Sequence, residues 1–332
     1  MSEDYRVAVV GAVSAVGNTL IQIFEERTFP VTTLKLLESD HDVDDILEFK
    51  DEPIMVEALT HEVFENVDLV FSIADPAVSR KFIPTAVENG CLVIDVSNTF
   101  RRQTEIPLII PEVNIQKAVG QSSVVANPGS TTIQMLVALK PIYDAVGIKR
   151  IVVSTYQSVS DKSGDAVVDL VDETIATLGG KPIELGEFLH QIAFNVAFDW
   201  PLLDSGDNEE EMRLINETRE ILEDDSIGVA ATTVRVPVFF AHSESINIET
   251  ERKLSPDEAR ELLSQAPSVV VVDDPQNLKY PLAIDVAGTD EVHVGRIRED
   301  HSIENGLNLW VVADNLRKGA ALNAIQIAES LI

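Results

Sequence analysis

The amino-acid sequence predicts an α/β protein, a doubly wound parallel sheet followed by an α+β domain with a mixed sheet, and three observations carry that prediction. A length of 332 residues suits two domains, and 45% apolar residues provide a core for each. The apolar run RVAVV passes through a glycine turn, GAVSAVG, into NTLIQIFEER, whose apolar residues recur at helical spacing. From Ile148 onward the strand-like runs lengthen and several alternate in polarity.

In order along the chain, strand, glycine loop and helix at the start form a phosphate-binding βα unit, which makes the first domain Rossmann-type. LKLLES, VDLVFSIA and CLVIDVS are short apolar runs between helical or polar stretches, as expected of parallel strands covered on both faces. VVANPGSTTIQM reads as the end of a buried strand, a tight Asn-Pro-Gly turn and a helix start, with Ser130 at the junction. Such a junction can hold a small nucleophile beside the positive end of a helix dipole. Beyond it, IKRIVVSTYQSVS, IGVAATTVRVPVFFAHSESINIET, SVVVVDD and EVHVGRIRED read as longer strands. Between them lie the helices AVVDLVDETIATL, EEEMRLINETREILEDD and SPDEARELLSQA, the last opening on a Ser-Pro cap. GLNLWVVADNLRKGAALNAIQIAESLI returns to a strand and a long amphipathic helix, and pattern alone does not choose the domain on which that helix docks.

The formal net charge of −31, from 56 acidic and 25 basic residues, repels nucleic acid and anionic lipid, so neither is an expected partner. An anionic substrate would have to be drawn in by a local cluster of arginines. No apolar run reaches membrane-spanning length, and MSEDYRVAVV lacks the basic start of a secretory signal, which makes the cytoplasm the expected compartment. The single cysteine, Cys91, lies in a strand-like run, where an inert buried thiol is expected, and it excludes an internal disulfide framework. No metal site is expected.

Several segments together resemble the bacterial aspartate-β-semialdehyde dehydrogenases: GAVSAVG, FPVTTLKLLES, IPLIIPEVN, ANPGSTTIQ, STYQSVS, QIAFN, EEEMRLINETREIL, RVPVFFAHSESIN, VGRIRED and DNLRKGAALNAIQIAE. The resemblance runs nearly end to end. It implies a homodimer with domains at 1–128 and 129–311, the terminal stretch 312–332 rejoining the first. It also implies the reduction of aspartyl phosphate to the semialdehyde by NADPH, or the reverse oxidation with phosphate. In that chemistry a nucleophile attacks the acyl phosphate and the resulting thioester accepts hydride. By the resemblance Ser130 stands where the family has its cysteine, His242 is the general base and Gln157 orients. Arg235 would hold the substrate carboxylate, Glu210 its amino group, and Arg101 and Arg213 its phosphate. The nucleotide, NADP or NAD, would lie against Gly11, Val13, Ser14, Ala15 and Val16, with Asn315 nearby.

Taken without the resemblance, these residues read more plainly. Arg235 is a strand arginine, Arg101 and Arg102 are solvated loop residues, and Gln157 carries no signal. Glu210 and Arg213 lie three apart on one helix face. His242 follows Arg235 by seven positions, which puts the two on opposite faces of a regular strand; one site holds both only if Pro237 to Ala241 contain a bulge or turn.

The departures from the family pattern fall on the nucleophile and the nucleotide. Serine at 130 forms an alkoxide far less readily than cysteine forms a thiolate, and its ester accepts hydride poorly, so dehydrogenase activity is expected to be severely reduced or absent. Ser14 replaces a glycine that lets backbone approach the pyrophosphate, and its side chain is expected to crowd the site. SDHDVDD, Ser39 to Asp45, replaces the residues for a 2′-phosphate and would repel one, though it could accept the ribose hydroxyls of NAD. Asp161 and Ser163 stand where glycines are expected. Together these losses resemble the cysteine-lacking, USG-1-like branch of the family, holding an anionic amino-acid-like ligand without the redox step. The alternatives are an active NAD(P)-dependent aspartate-semialdehyde dehydrogenase with a variant nucleophile, and a regulatory or interaction protein.

Overall fold

The computed structural model describes residues 5–39, 43–101, 103, 105–120 and 122–332; Arg102 and the Asp40–Asp42 part of the acidic stretch lie outside them. The chain forms two compact units, residues 1–128 with 320–332, and residues 129–319, so the return to the first unit falls at Ala320.

Unit 1 runs β1 (Tyr5–Val10), α1 (Ala15–Glu26), β2 (Val31–Glu38), β3 (Ile46–Phe49), β4 (Glu52–Ala58), β5 (Leu69–Ser72), α2 (Pro76–Glu88), β6 (Leu92–Asp95), α3 (Pro111–Asn114) and β7 (Val124–Ala126). Its seven-stranded sheet has the order β3-β4-β2-β1-β5-β6-β7, parallel except for the β3–β4 hairpin pair. The doubly wound expectation therefore holds, with one antiparallel edge. Gly11 ends β1 at φ +88°, and a Cβ there would sit 2.8 Å from the Ala74 backbone nitrogen, so the turn demands glycine. The core packs Phe24 against Phe29 at 5.0 Å and edge-on to Phe71 at 5.3 Å.

At the end of β6 the Asp95 carboxyl is fully buried, accepts from the Ser97 hydroxyl at 2.7 Å, and burial raises its pKa to about 6. Its proton is held more tightly in the folded chain than at the ordinary value of 3.8, so this group's contribution is most favourable below about pH 4 and is lost as pH rises to about 6. That rise corresponds to at most about 3 kcal/mol. Asp95→Asn should remove that loss. Urea unfolding at pH 4.5 and 7.5 should find the variant's stability relative to native rising by about 1–3 kcal/mol between the two; an unchanged difference would contradict the buried-charge account.

Unit 2 runs α4 (Ser130–Val146), β8 (Ile148–Gln157), α5 (Gly164–Leu178), α6 (Glu209–Leu222), β9 (Gly228–Arg235), β10 (His242–Thr250), α7 (Pro256–Ser264), β11 (Val269–Val271), α8 (Ala283–Val286), β12 (Val292–Asp300) and β13 (Gly306–Ala313). Helix α9 (Leu322–Leu331) then closes the chain in unit 1, where Leu322, Ile325, Ile327 and Ala328 join the core of Phe24 and Phe71. The unit 2 sheet is mixed, in the order β11-β12-β13-β10-β8-β9.

The single long strand read from IGVAATTVRVPVFFAHSESINIET is corrected to two. β9 runs parallel to β8 on one side and β10 antiparallel to it on the other. The connection Val236–Ala241 carries them across the end of β8: Pro237 has no N–H to give a ladder, and Ala241 adopts φ +69°. Val159 and Ser160 donate backbone bonds to Val238 and Phe239 at 2.9 and 3.2 Å, which pins that connection. SVVVVDD yields only the three-residue β11. Among the described residues no helix is long and apolar enough to cross a membrane.

Candidate active site

The Asn-Pro-Gly turn delivers Ser130 as the first residue of α4, with Gly129 as its N-cap. The capping acceptor comes from another helix: Glu217 of α6, buried, takes the Gly129 N–H at 2.9 Å and the Thr132 hydroxyl at 2.6 Å. An anionic cap suits the positive end of α4 and holds Ser130 in place. Gly319 lies against the same residue, since a Cβ there would come within 2.8 Å of the Ser130 Cβ.

His242 is fully buried at the start of β10. Its Nδ1 accepts the Ser158 backbone N–H at 3.1 Å, so the neutral ring carries its proton on Nε2. That nitrogen faces Asp161 Oδ1 at 3.5 Å, and the same oxygen accepts from the Ser130 hydroxyl at 3.4 Å. The carboxylate thus stands between the serine and the histidine. Arg235, at the end of β9, donates from Nη1 to the Ser158 carbonyl at 2.7 Å and to Asp161 Oδ2 at 3.2 Å, and its guanidinium lies 4.7 Å over the Trp200 ring. Burial opposes the Asp161 charge, but the facing His242 ring and the charges of Arg235 and Arg213 outweigh it and hold the carboxyl well below the usual range. The strand break at Pro237–Ala241 therefore does bring Arg235 and His242 to one place.

Glu210 and Arg213 pair on the first turns of α6, and Glu210 also accepts from Thr131 at 3.1 Å and from Gln157 Nε2 at 3.3 Å. The Glu210 charge, then those of Glu217 and Asp161, raise the Arg213 pKa against the opposing effect of burial. Ser130, Gln157, Glu210, Arg213, Arg235 and His242 thus converge in unit 2. Arg101 belongs to unit 1, where it is buried and donates to the Val96 carbonyl at 2.8 Å. Asn315 is buried in unit 2 and uses its amide structurally, its Oδ1 accepting from Ser158 at 3.0 Å and the Ala241 N–H at 3.1 Å and its Nδ2 donating to Ser160 at 3.1 Å.

In unit 1 the expected crowding by Ser14 is corrected. Its hydroxyl turns into the loop, accepting the Gly17 N–H at 3.1 Å and donating to the Gly11 carbonyl at 2.7 Å, so it caps α1. The first-turn amides of Ala15 and Val16 remain as the orphan donors with which a helix start meets a pyrophosphate. The Val13 N–H donates to Glu38 at 2.9 Å. Glu38 ends β2 and escaped the sequence reading, although an acid about 20 residues after a glycine loop is the usual ribose ligand. These residues fit a dinucleotide. Among the described residues no group of three or more His, Cys, Asp or Glu could hold a metal ion.

Comparison with known proteins accords with both halves. Residues 6–121 match the semialdehyde dehydrogenase NAD binding domain and residues 139–318 the semialdehyde dehydrogenase dimerisation domain. The aspartate-semialdehyde dehydrogenase of Aquifex aeolicus is 48% identical over 99% of this chain and 98% of its own length, and that of Legionella pneumophila 47% identical over 100% and 96%. The crystal structure of aspartate semialdehyde dehydrogenase II from Vibrio cholerae, complexed with ASA, superposes with a TM-score of 0.96 at 41% identity over 99% of this chain and 98% of that one. With matching models over both units and full-length relatives at this identity, the chain belongs to the aspartate-semialdehyde dehydrogenase family.

Proposed function

We propose that this member of the family, as in its USG-1-like branch, has given up the phosphate-dependent dehydrogenase step and keeps its site for a small anionic, amino-acid-like ligand. One observation carries the reading: the nucleophile position at the head of α4 holds a hydroxyl, Ser130, with the Asp161 carboxylate 3.4 Å from it. No other sulfur can serve. Cys91 is 1% exposed in unit 1, and burial, then the charge of Asp68, push its thiol up to about 11. The anionic ligand class is supported by the Vibrio cholerae relative, whose structure holds ASA, and by Arg213 and Arg235 here. The test is phosphate-dependent oxidation of aspartate semialdehyde by the native chain, with NAD and with NADP. Background-level turnover is expected, and turnover at a metabolic rate would overturn the reading.

A second reading, an active aspartate-semialdehyde dehydrogenase using serine, is favoured by the full-length identity to enzymes of that name and by the retention of Gln157, His242, Glu210 and Arg235. The same assay separates the two. For the nucleotide, Glu38 and the acidic residues after β2 favour NAD over NADP, since a carboxylate accepts from a ribose 2′-hydroxyl and repels a 2′-phosphate; calorimetric titration of both dinucleotides checks this. A homodimer is supported by the dimerisation-domain match and by α5, which exposes Val168, Val171, Ile175 and Leu178 at helical spacing. Light scattering that returned the monomer mass would contradict it.

A further inference from the structure

We propose that Asp161 is a tethered competitor for the anion site: its carboxylate holds the place on Arg235 that the carboxylate of a small acidic ligand would take, and the ligand binds when that side chain turns away from the guanidinium. The inference deepens, and rests on, the reading of unit 2 as an anion-binding site.

The geometry argues for it in three ways. Arg235 is held independently of Asp161, by the Ser158 carbonyl at 2.7 Å, by the Trp200 ring beneath it and by Asp199 3.9 Å from Nη2. Its orientation therefore survives the departure of Asp161. The arginine side chain is 3% exposed and Asp199 7%, but Asp161 is 26% exposed, so of the two carboxylates only Asp161 stands toward solvent, where a ligand would arrive.

The contact is also incomplete. Asp161 meets the guanidinium through one nitrogen at 3.2 Å, and Nε has no hydrogen-bond partner among the described residues. A free carboxylate could take both edges of the fork, which is the stronger arrangement. Finally, the other Asp161 oxygen lies 3.4 Å from the Ser130 hydroxyl and 3.5 Å from His242 Nε2, so one side chain occupies the cation and both neighbouring donors at once. A carboxylate tethered a few residues away acts at an effective concentration of millimolar or more, enough to mask a weak ligand.

The test is calorimetric titration of succinate and L-aspartate into the native chain and into Asp161→Ala, Asp161→Asn, Asp161→Ala with Arg235→Gln, Arg235→Gln alone, and Asp165→Asn. The last removes a charge from the first turn of α5 and serves as the control for net charge. Asp161→Ala should bind at least ~10-fold more tightly than native, with Asp161→Asn between them. The gain should vanish in the double variant and be absent in Asp165→Asn. Equal affinity in native and Asp161→Ala, with loss on Arg235→Gln alone, would overturn the competitor while leaving the anion site. A gain of the same size in Asp165→Asn would overturn it in favour of bulk charge. No binding to native or Asp161→Ala would overturn the site reading and the competitor with it.

Discussion

Ser130→Cys alone should leave phosphate-dependent oxidation of the semialdehyde close to the native background, whereas Ser130→Cys with Asp161→Gly should exceed the single variant by at least ~100-fold. The reactive species is the thiolate. In the single variant that thiolate would form beside an ionised carboxylate, which now stands 3.4 Å from the residue 130 side chain. A like charge at such range raises a pKa by about 1–3 units, and each unit is a tenfold loss of thiolate at neutral pH. The second obstacle is the histidine. With Nδ1 accepting the Ser158 N–H, the Nε2 proton is turned to Asp161 and is not given to a thiolate at residue 130 while the carboxylate is there. Removing Asp161 lifts both obstacles and leaves the positive end of α4 to favour the anion. Initial rates of reduced-nicotinamide formation, with the pH dependence of alkylation of the introduced thiol in the two variants, check the claim. Full activity in the single variant would show that Asp161 does not govern the nucleophile.

That coupling marks the limit of what was legible in the sequence. The doubly wound unit and its mixed partner follow from hydrophobic period and glycine placement, which are local properties, and Ser130, Gln157, Glu210, Arg213, Arg235 and His242 do meet. Asp161 was visible as a departure from glycine, but its target was not, because the distance from residue 161 to residue 235 is set by the β8–β9 pairing. The turn between Arg235 and His242 could be demanded on grounds of strand parity, yet its consequence, two strands on opposite sides of β8, is a matter of topology. Glu217 gave no local sign of capping a helix 85 residues away through Thr132. Ser14 differs for another reason: its volume suggests crowding, while its hydroxyl satisfies the loop from within.

Gly17→Ala should destabilise the chain by at least about 3 kcal/mol and abolish cooperative folding of unit 1, with or without nucleotide. Helix propensity alone predicts the opposite sign, since Gly17 lies inside α1 and alanine is favoured there by about 1 kcal/mol. Packing decides. A Cβ on Gly17 would lie 2.4 Å from the Ala12 carbonyl oxygen and 2.5 Å from that of Gly11, and neither backbone atom can swing aside as a flexible side chain would. Gly164, which opens α5, provides the contrast: nothing lies within 4 Å of its would-be Cβ, so Gly164→Ala should be neutral or stabilise by up to about 1 kcal/mol. Urea unfolding of the two variants beside native measures both effects. The pair also separates two meanings of a glycine loop. If Gly17→Ala unfolds the nucleotide-free protein, that glycine is kept for close approach of helix to loop, and its presence says nothing about whether a dinucleotide binds; Ala15, Val16 and Glu38 are then the residues that would hold one. A Gly17→Ala chain that folds normally but loses dinucleotide affinity would reverse that assignment.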